Sequence, residues 1–132
     1  MATTQRAAPA LTFIVRRLAW LAAFLAVMGV AILEIGRHDL GWLPIVAFLI
    51  FPDLAMLAGI GQPHQKRQLP ARAVPFYNTL HQPLLPLAFL AIVVAIGAAP
   101  FWFFGAFAWM AHIAIDRAVG YGLRTPDGWQ RG

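Results

Sequence analysis

Four apolar stretches fill almost the whole chain and leave little polar sequence between them. Each approaches the roughly 20 residues that a helix needs to cross a bilayer. Only 11% of the residues are charged, whereas soluble domains carry roughly 25%, so an ordinary soluble domain is excluded. The sequence therefore predicts an all-α, four-helix transmembrane bundle that forms a single integral membrane domain over residues 1–132. The predicted helices cover about residues 13–35, 43–60, 76–98 and 101–121.

The basic residues predict how this bundle is oriented. In a four-pass arrangement nine of the ten fall on one side, and only Arg37 falls on the other. Basic residues mark the cytoplasmic side, so we expect both termini and the 61–72 loop to be cytoplasmic. This is the pattern of a multi-pass protein of a cell membrane. The basic residues that give the net charge of +5 would then orient the chain in the lipid bilayer, and no nucleic-acid partner is expected.

The first apolar stretch also has a rival interpretation as a cleaved signal peptide that begins at Arg16 and Arg17. Residues 32–39, which follow it, lack the small-residue pattern of a cleavage site. Removing the stretch would also destroy the one-sided charge distribution. We therefore expect it to be retained as the first helix.

Four ionisable residues lie inside the apolar stretches: Asp53, His81, His112 and Asp116. At about 1.5 Å per residue, all four lie about 8–14 Å from the cytoplasmic ends of their predicted helices. Polar groups at such depth are costly and usually face the bundle interior. The sequence thus predicts one polar layer, built by three helices, in the cytoplasmic half of the bundle.

The last helix should turn its polar face inward, because its small residues share a three-or-four spacing with His112 and Asp116. These small residues are Gly105, Ala108 and Gly120. The same pattern leaves Phe103, Phe107 and Trp109 free to meet lipid.

Prolines add unpaired backbone carbonyls to this layer, because proline has no N–H to donate. Pro83 and Pro86 are expected to free the carbonyls of Thr79 and Gln82, and Pro52 that of Phe48. Such carbonyls would be hydrogen-bond acceptors near His81 and Asp53.

Three chemistries fit the four residues. Two imidazoles and two carboxylates suit a divalent metal such as zinc, and a catalytic metal keeps one position open for water. His81 and His112 could instead be the axial ligands of a haem. Simple pairing of buried polar groups, which would fix helix register, is the third interpretation.

Three segments of the chain resemble a known family. Phe51-Pro-Asp-Leu-Ala-Met56, Phe76-Tyr-Asn-Thr-Leu-His81 and residues 111–123, which contain His-x-x-x-Asp-Arg-x-x-Gly-Tyr-Gly-Leu, resemble small bacterial integral membrane proteins catalogued as domain of unknown function 4260. The resemblance singles out Asn78 and Tyr121 besides the four ionisable residues and implies no activity. Members often carry a Thr-His-Leu-Gly segment shortly afterwards. Residues 125–132 lack that histidine, so the chain would lack a ligand if relatives use it.

A looser likeness links the chain to membrane-bound metal-dependent hydrolases, which also place His and His-x-x-x-Asp elements on membrane helices. The leading hypothesis is accordingly a membrane-embedded metal-dependent hydrolase that acts on a lipid-like substrate. Asp53, His81, His112 and Asp116 would be metal ligands or catalytic groups, supported by Asn78, Arg117 and Tyr121. The alternatives are a non-enzymatic membrane subunit with structural polar pairs and a bis-histidine haem protein.

Overall fold

The chain folds into five α-helices and two 3₁₀ helices in the computed structural model, which describes residues 7–39 and 41–131. The described residues contain no strand beyond one isolated bridge between Arg124 and Gln130, so the predicted all-α class is confirmed there. The α-helices are α1 (Ala7–His38), α2 (Leu43–Ile50), α3 (Val74–Leu80), α4 (Leu84–Ala95) and α5 (Pro100–Val119). The 3₁₀ helices are Phe51–Gly59 and Ala71–Ala73.

Among the described helices, α1 is long and apolar enough on its own to cross a membrane, over Ala10–His38. The pair Ala71–Leu80 and Leu84–Ala95 passes the same test only when joined across a 47° bend. One clear candidate span thus stands where the sequence predicted four.

The central helix of the fold is α5, which packs against α1, α2 and α4. One buried cluster joins Ala31 and Ile35 of α1, Ile45 of α2, and Phe104 and Ala108 of α5. Because α1 contributes to this core, it is part of the fold and not an appendage.

Gly105 permits a close contact between α2 and α5. A Cβ on Gly105 would lie 2.5 Å from the ring of Phe48, so α2 could not approach α5 this closely with any larger residue.

Two of the predicted helices are interrupted. The predicted 43–60 helix changes at Phe51 from α to 3₁₀ geometry, with the buried Pro52 in its first turn. The predicted 76–98 helix is divided between Leu80 and Leu84, where Pro83 becomes the N-cap of α4. Proline accounts for both interruptions, since it cannot donate the backbone bond that would continue the preceding turn.

The segment after α5 folds back onto the bundle. Gly120 ends α5 in the left-handed conformation, with φ of 100°. The Asn78 side chain then donates to the carbonyl of Arg124 at 2.9 Å and accepts from its amide at 2.7 Å. The Leu69 amide donates to the carbonyl of Gly128 at 2.9 Å. The last residues are therefore fixed against the loop before α3.

Candidate metal centre

Three helical elements bring Asp53, His81, His112 and Asp116 together. The Nε2 atoms of His81 and His112 lie 3.2 Å apart. The Asp53 carboxylate lies 3.5 Å from the first nitrogen and 3.6 Å from the second, and the Asp116 carboxylate lies 3.5 Å from each. Two imidazoles and two carboxylates therefore share one small volume.

Backbone carbonyls fix the tautomers of both histidines. Nδ1 of His81 lies 2.9 Å from the carbonyl of Tyr77, and Nδ1 of His112 lies 2.7 Å from that of Leu49. A carbonyl only accepts, so each Nδ1 must be the protonated donor. In the neutral rings both Nε2 atoms then carry lone pairs, and these lone pairs face each other.

The distances suit three ligands of one metal ion. The ligand atoms of Asp53, His81 and His112 all lie within 4.8 Å of one another. Zinc bonds of about 2.0–2.2 Å at tetrahedral angles place ligand atoms about 3.3–3.6 Å apart. The observed 3.2, 3.5 and 3.6 Å are close to that spacing. Because metal-bound histidines commonly donate their other N–H to a carbonyl, the two Nδ1 contacts also fit.

The four side chains differ in their access to the exterior. His81 is 2% exposed and His112 is buried, whereas the carboxylate side chain of Asp53 is 43% exposed. Asp116 is intermediate, at 22%. A small molecule would therefore reach the histidines past the two aspartates.

The break between α3 and α4 provides further anchors for His81. The carbonyl of Leu80 accepts from the indole of Trp109 at 2.8 Å, and that of His81 accepts from Arg117 at 3.1 Å. Both donors lie on α5, so the broken helix is held to the helix that carries His112.

The backbone carbonyls that the prolines were predicted to leave unpaired are not the ones that contact the cluster. Thr79 and Gln82 accept from the amides of Gln82 and Leu85, at 3.3 and 3.0 Å, because the local turn is tighter than an α-helix. Near Pro52, the carbonyl used by His112 is that of Leu49 and not that of Phe48. The 3₁₀ pattern pairs residue 52 with residue 49, and Pro52 has no N–H to offer.

The predicted supporting residues lie in different places. Arg117 contacts the His81 carbonyl directly. Asn78 binds the backbone of Arg124, and Tyr121 is exposed beside the end of α5. Their roles in a metal site stay predictions.

Sequence reasoning missed two residues and misplaced a third. The ring of Tyr77 stacks on His81 at 3.8 Å between centroids, which their i, i+4 spacing could have indicated. Leu49 acts through its carbonyl, which leaves no signal in side-chain chemistry. The lipid-facing placement of Trp109 was wrong: the residue is 5% exposed, because its ring packs against Phe51 and Phe89 and its N–H donates to the carbonyl of Leu80.

Comparison with known proteins gives one family. The chain matched no curated protein and no solved structure. The profile of the domain of unknown function DUF4260 matches residues 15–132, which is most of the chain and includes all four clustered residues. The chain therefore belongs to the DUF4260 family.

Proposed function

We propose that this protein is a membrane-embedded, metal-dependent hydrolase that acts on a lipid-like substrate. The observation that supports it best is the pair of facing Nε2 atoms, 3.2 Å apart, with two carboxylates within 3.6 Å. Two lone pairs at this distance repel each other unless a cation lies between them. A divalent metal, zinc being the simplest choice, supplies that cation.

The four residues take separate roles in this proposal. Asp53, His81 and His112 are the metal ligands, the three-ligand set that leaves a catalytic zinc one open position. Such a metal makes water nucleophilic near neutral pH and polarises an ester or phosphoryl oxygen. Asp116, 3.5 Å from both imidazoles, is placed to accept a proton from a water molecule that enters beside Asp53.

The surface of α1 supports a membrane setting. Leu11, Leu18 and Leu25 repeat every seven residues and are each between 58% and 64% exposed. Soluble monomers rarely expose a continuous apolar strip of this kind. We extend the proposed membrane setting to the bent pair α3–α4. Interrupted helices are tolerated in bilayers where groups on neighbouring helices bind the backbone carbonyls that the interruption leaves unpaired. Trp109 and Arg117 do so here.

The contact distances favour a metal over simple ion pairs. A charge-assisted N–H···O bond measures about 2.7–2.9 Å, whereas the four imidazole–carboxylate distances are 3.5–3.6 Å. A haem fits less well, because its porphyrin plane would have to pass between the two imidazoles, through the two carboxylates.

Metal analysis tests the proposal. Protein is purified in detergent without chelators, incubated with Zn²⁺, Mn²⁺ or Fe²⁺, freed of excess ion and measured by plasma mass spectrometry. We expect about one ion per chain for wild type, and a loss of most of it in His112→Ala and in the isosteric Asp53→Asn. His64→Ala is the matched control, since His64 is exposed in the 61–72 loop.

Wild-type protein that elutes as a folded species and takes up no ion would refute the proposal. Equal metal loss in the His64→Ala control would also refute it, because the bound ion would then not be at this cluster. Asp53→Asn keeps the size of the side chain, so it separates a lost ligand from a lost fold.

A further inference from the structure

A strongly basic cavity lies beside the metal centre, between the first half of α1, the end of α5 and the last residues of the chain. Its volume is about 540 Å³. Four arginines from these three segments line it: Arg16, Arg17, Arg117 and Arg131. Aromatic residues, Phe13, Trp20 and Tyr121, form part of the remaining wall.

Among the residues that the structure describes, no Asp or Glu lines this cavity. Within residues 7–39 and 41–131, none of the four guanidinium groups forms an ion pair with a carboxylate; the arginine that does so is Arg37, with Glu34, on the far end of α1. Four like charges around one space are mutually unfavourable. Such an arrangement is stabilised by a bound anion, and Arg is the residue that recognises phosphate best.

Backbone carbonyls hold three of these arginines in place. Arg17 donates to Ala118 at 2.6 Å, Arg117 to Tyr121 at 3.2 Å, and Arg131 to Arg124 at 3.0 Å. A carbonyl satisfies a donor without cancelling the positive charge. The guanidinium groups are therefore positioned and remain available to an anion.

The cavity is physically connected to the candidate metal centre through Arg117. One guanidinium nitrogen of Arg117 donates to the carbonyl of His81, and the residue also lines the cavity. Arg117 directly follows Asp116 in α5. An anion bound in the cavity would thus contact Arg117 of α5, the helix that carries the proposed base Asp116, and the same guanidinium group would join it to the carbonyl of the proposed ligand His81.

A second cavity of about 750 Å³ continues the basic surface on the other side of Gly120, Tyr121 and Gln130. Arg67 and Arg124 line it. The Nε atom of Arg124 is buried and has no hydrogen-bond partner in the described structure. One guanidinium N–H at this end of the molecule is therefore unpaired in the described structure.

We propose that the cavity of Arg16, Arg17, Arg117 and Arg131 binds a phosphate group, carried by a membrane lipid or by a free phosphate compound. The aromatic wall suits the apolar part of such an amphiphile. The proposal that the cavity binds phosphate depends only on the residues that line it. The further proposal that this phosphate is part of the substrate rests on the proposed function. The substrate class would then be a phosphate-bearing lipid.

Binding is measured on wild-type protein in nanodiscs. Inorganic phosphate is titrated calorimetrically into nanodiscs of a galactolipid, which contains no phosphate, and thermal unfolding is compared between these and galactolipid nanodiscs that contain phosphatidic acid. The test variant is the double substitution Arg16→Gln with Arg131→Gln. The control is Arg37→Gln, which removes the same kind of charge from the opposite end of α1.

We expect the unfolding temperature of wild type and the control to rise in phosphatidic acid, and the rise to disappear in the double variant. If inorganic phosphate binds, the double variant should bind it roughly 10–100-fold more weakly, as expected when two exposed guanidinium groups each lose a hydrogen bond of ordinary net strength. Inorganic phosphate binding without a phosphatidic acid effect assigns the site to free phosphate compounds. The reverse assigns it to lipid headgroups.

Two results would overturn the phosphate site: no response of wild type to either probe, or an equal loss of response in Arg37→Gln and the double variant. The metal content of the same samples is measured in parallel. If the double variant keeps its metal but loses phosphate binding, the substitutions have affected only this cavity and not the candidate metal centre. Wild type that binds phosphate but no metal would leave the cavity intact and reject the hydrolase.

Discussion

The two aspartates of the cluster have the same chemistry but different surroundings. Asp53 belongs to the group of three residues that could hold a metal ion and is 43% exposed, whereas Asp116 is 22% exposed and lies one helical turn from His112. A metal ligand that loses its charge should no longer bind the metal, whereas a proton acceptor that loses its charge should leave metal binding intact and slow only the reaction. The pair therefore allows metal binding to be separated from catalysis.

Asp116→Asn should keep its metal and lose hydrolysis by about 10²–10⁴-fold, the usual contribution of a general base. Asp53→Asn should lose both. Metal content and metal-dependent turnover of a micellar phosphate ester or carboxylic ester are measured on the same preparations, with the exposed Asp127→Asn as control. If Asp116→Asn loses its metal as completely as Asp53→Asn does, Asp116 is a ligand and the division of roles is wrong.

The contact between helices α2 and α5 holds the candidate site in position. The Leu49 carbonyl at the end of α2 orients His112, and a few turns earlier in α5 the Phe48 ring rests on Gly105. Phe48 cannot easily move, because it packs against Phe51 and Phe89 as well. A side chain at residue 105 would therefore push α2 away from His112.

Gly105→Ala should destabilise the protein by about 1–3 kcal/mol, as expected for overpacking, and should weaken metal binding. The control is Gly29→Ala in the middle of α1, where a new Cβ meets nothing within 4 Å. That substitution should stabilise by about 0.5–1 kcal/mol, because glycine is unfavourable inside a helix. Denaturant unfolding in detergent distinguishes the two, and equal responses would show that the α2–α5 contact is not tight.

Local patterns predicted part of the buried face of α5, although not the burial of Trp109, and they did not predict where the helices are interrupted. The spacing of Gly105 and Ala108 with His112 correctly indicated the buried side of α5. By contrast, the division at Leu80, the 3₁₀ segment after Ile50 and the use of the Leu49 carbonyl depend on how each proline is accommodated by its neighbours. Such choices are decided by tertiary contacts, for example the Trp109 bond to Leu80.

Over the described molecule, the basic side chains are concentrated at one end. Arginines from α1, α5, the loop before α3 and the chain's last residues line two adjoining cavities at one end. The opposite end contains the Glu34–Arg37 pair and the turn after α4. By the positive-inside rule the end with the two cavities would face the cytoplasm. The proposed phosphate site would then open toward the inner leaflet.

Cysteine labelling tests this orientation without interference, because the chain contains no cysteine. His64→Cys lies in the loop of the basic end and Ala99→Cys in the turn between α4 and α5, and both positions are exposed. In sealed spheroplasts a membrane-impermeant maleimide should label Ala99→Cys at once and His64→Cys only after permeabilisation. Reversed labelling would invert the orientation. Immediate labelling of both variants in sealed cells would place residues 64 and 99 on the same side of the membrane. It would exclude a single span formed by α3 and α4, because such a span would separate the two residues.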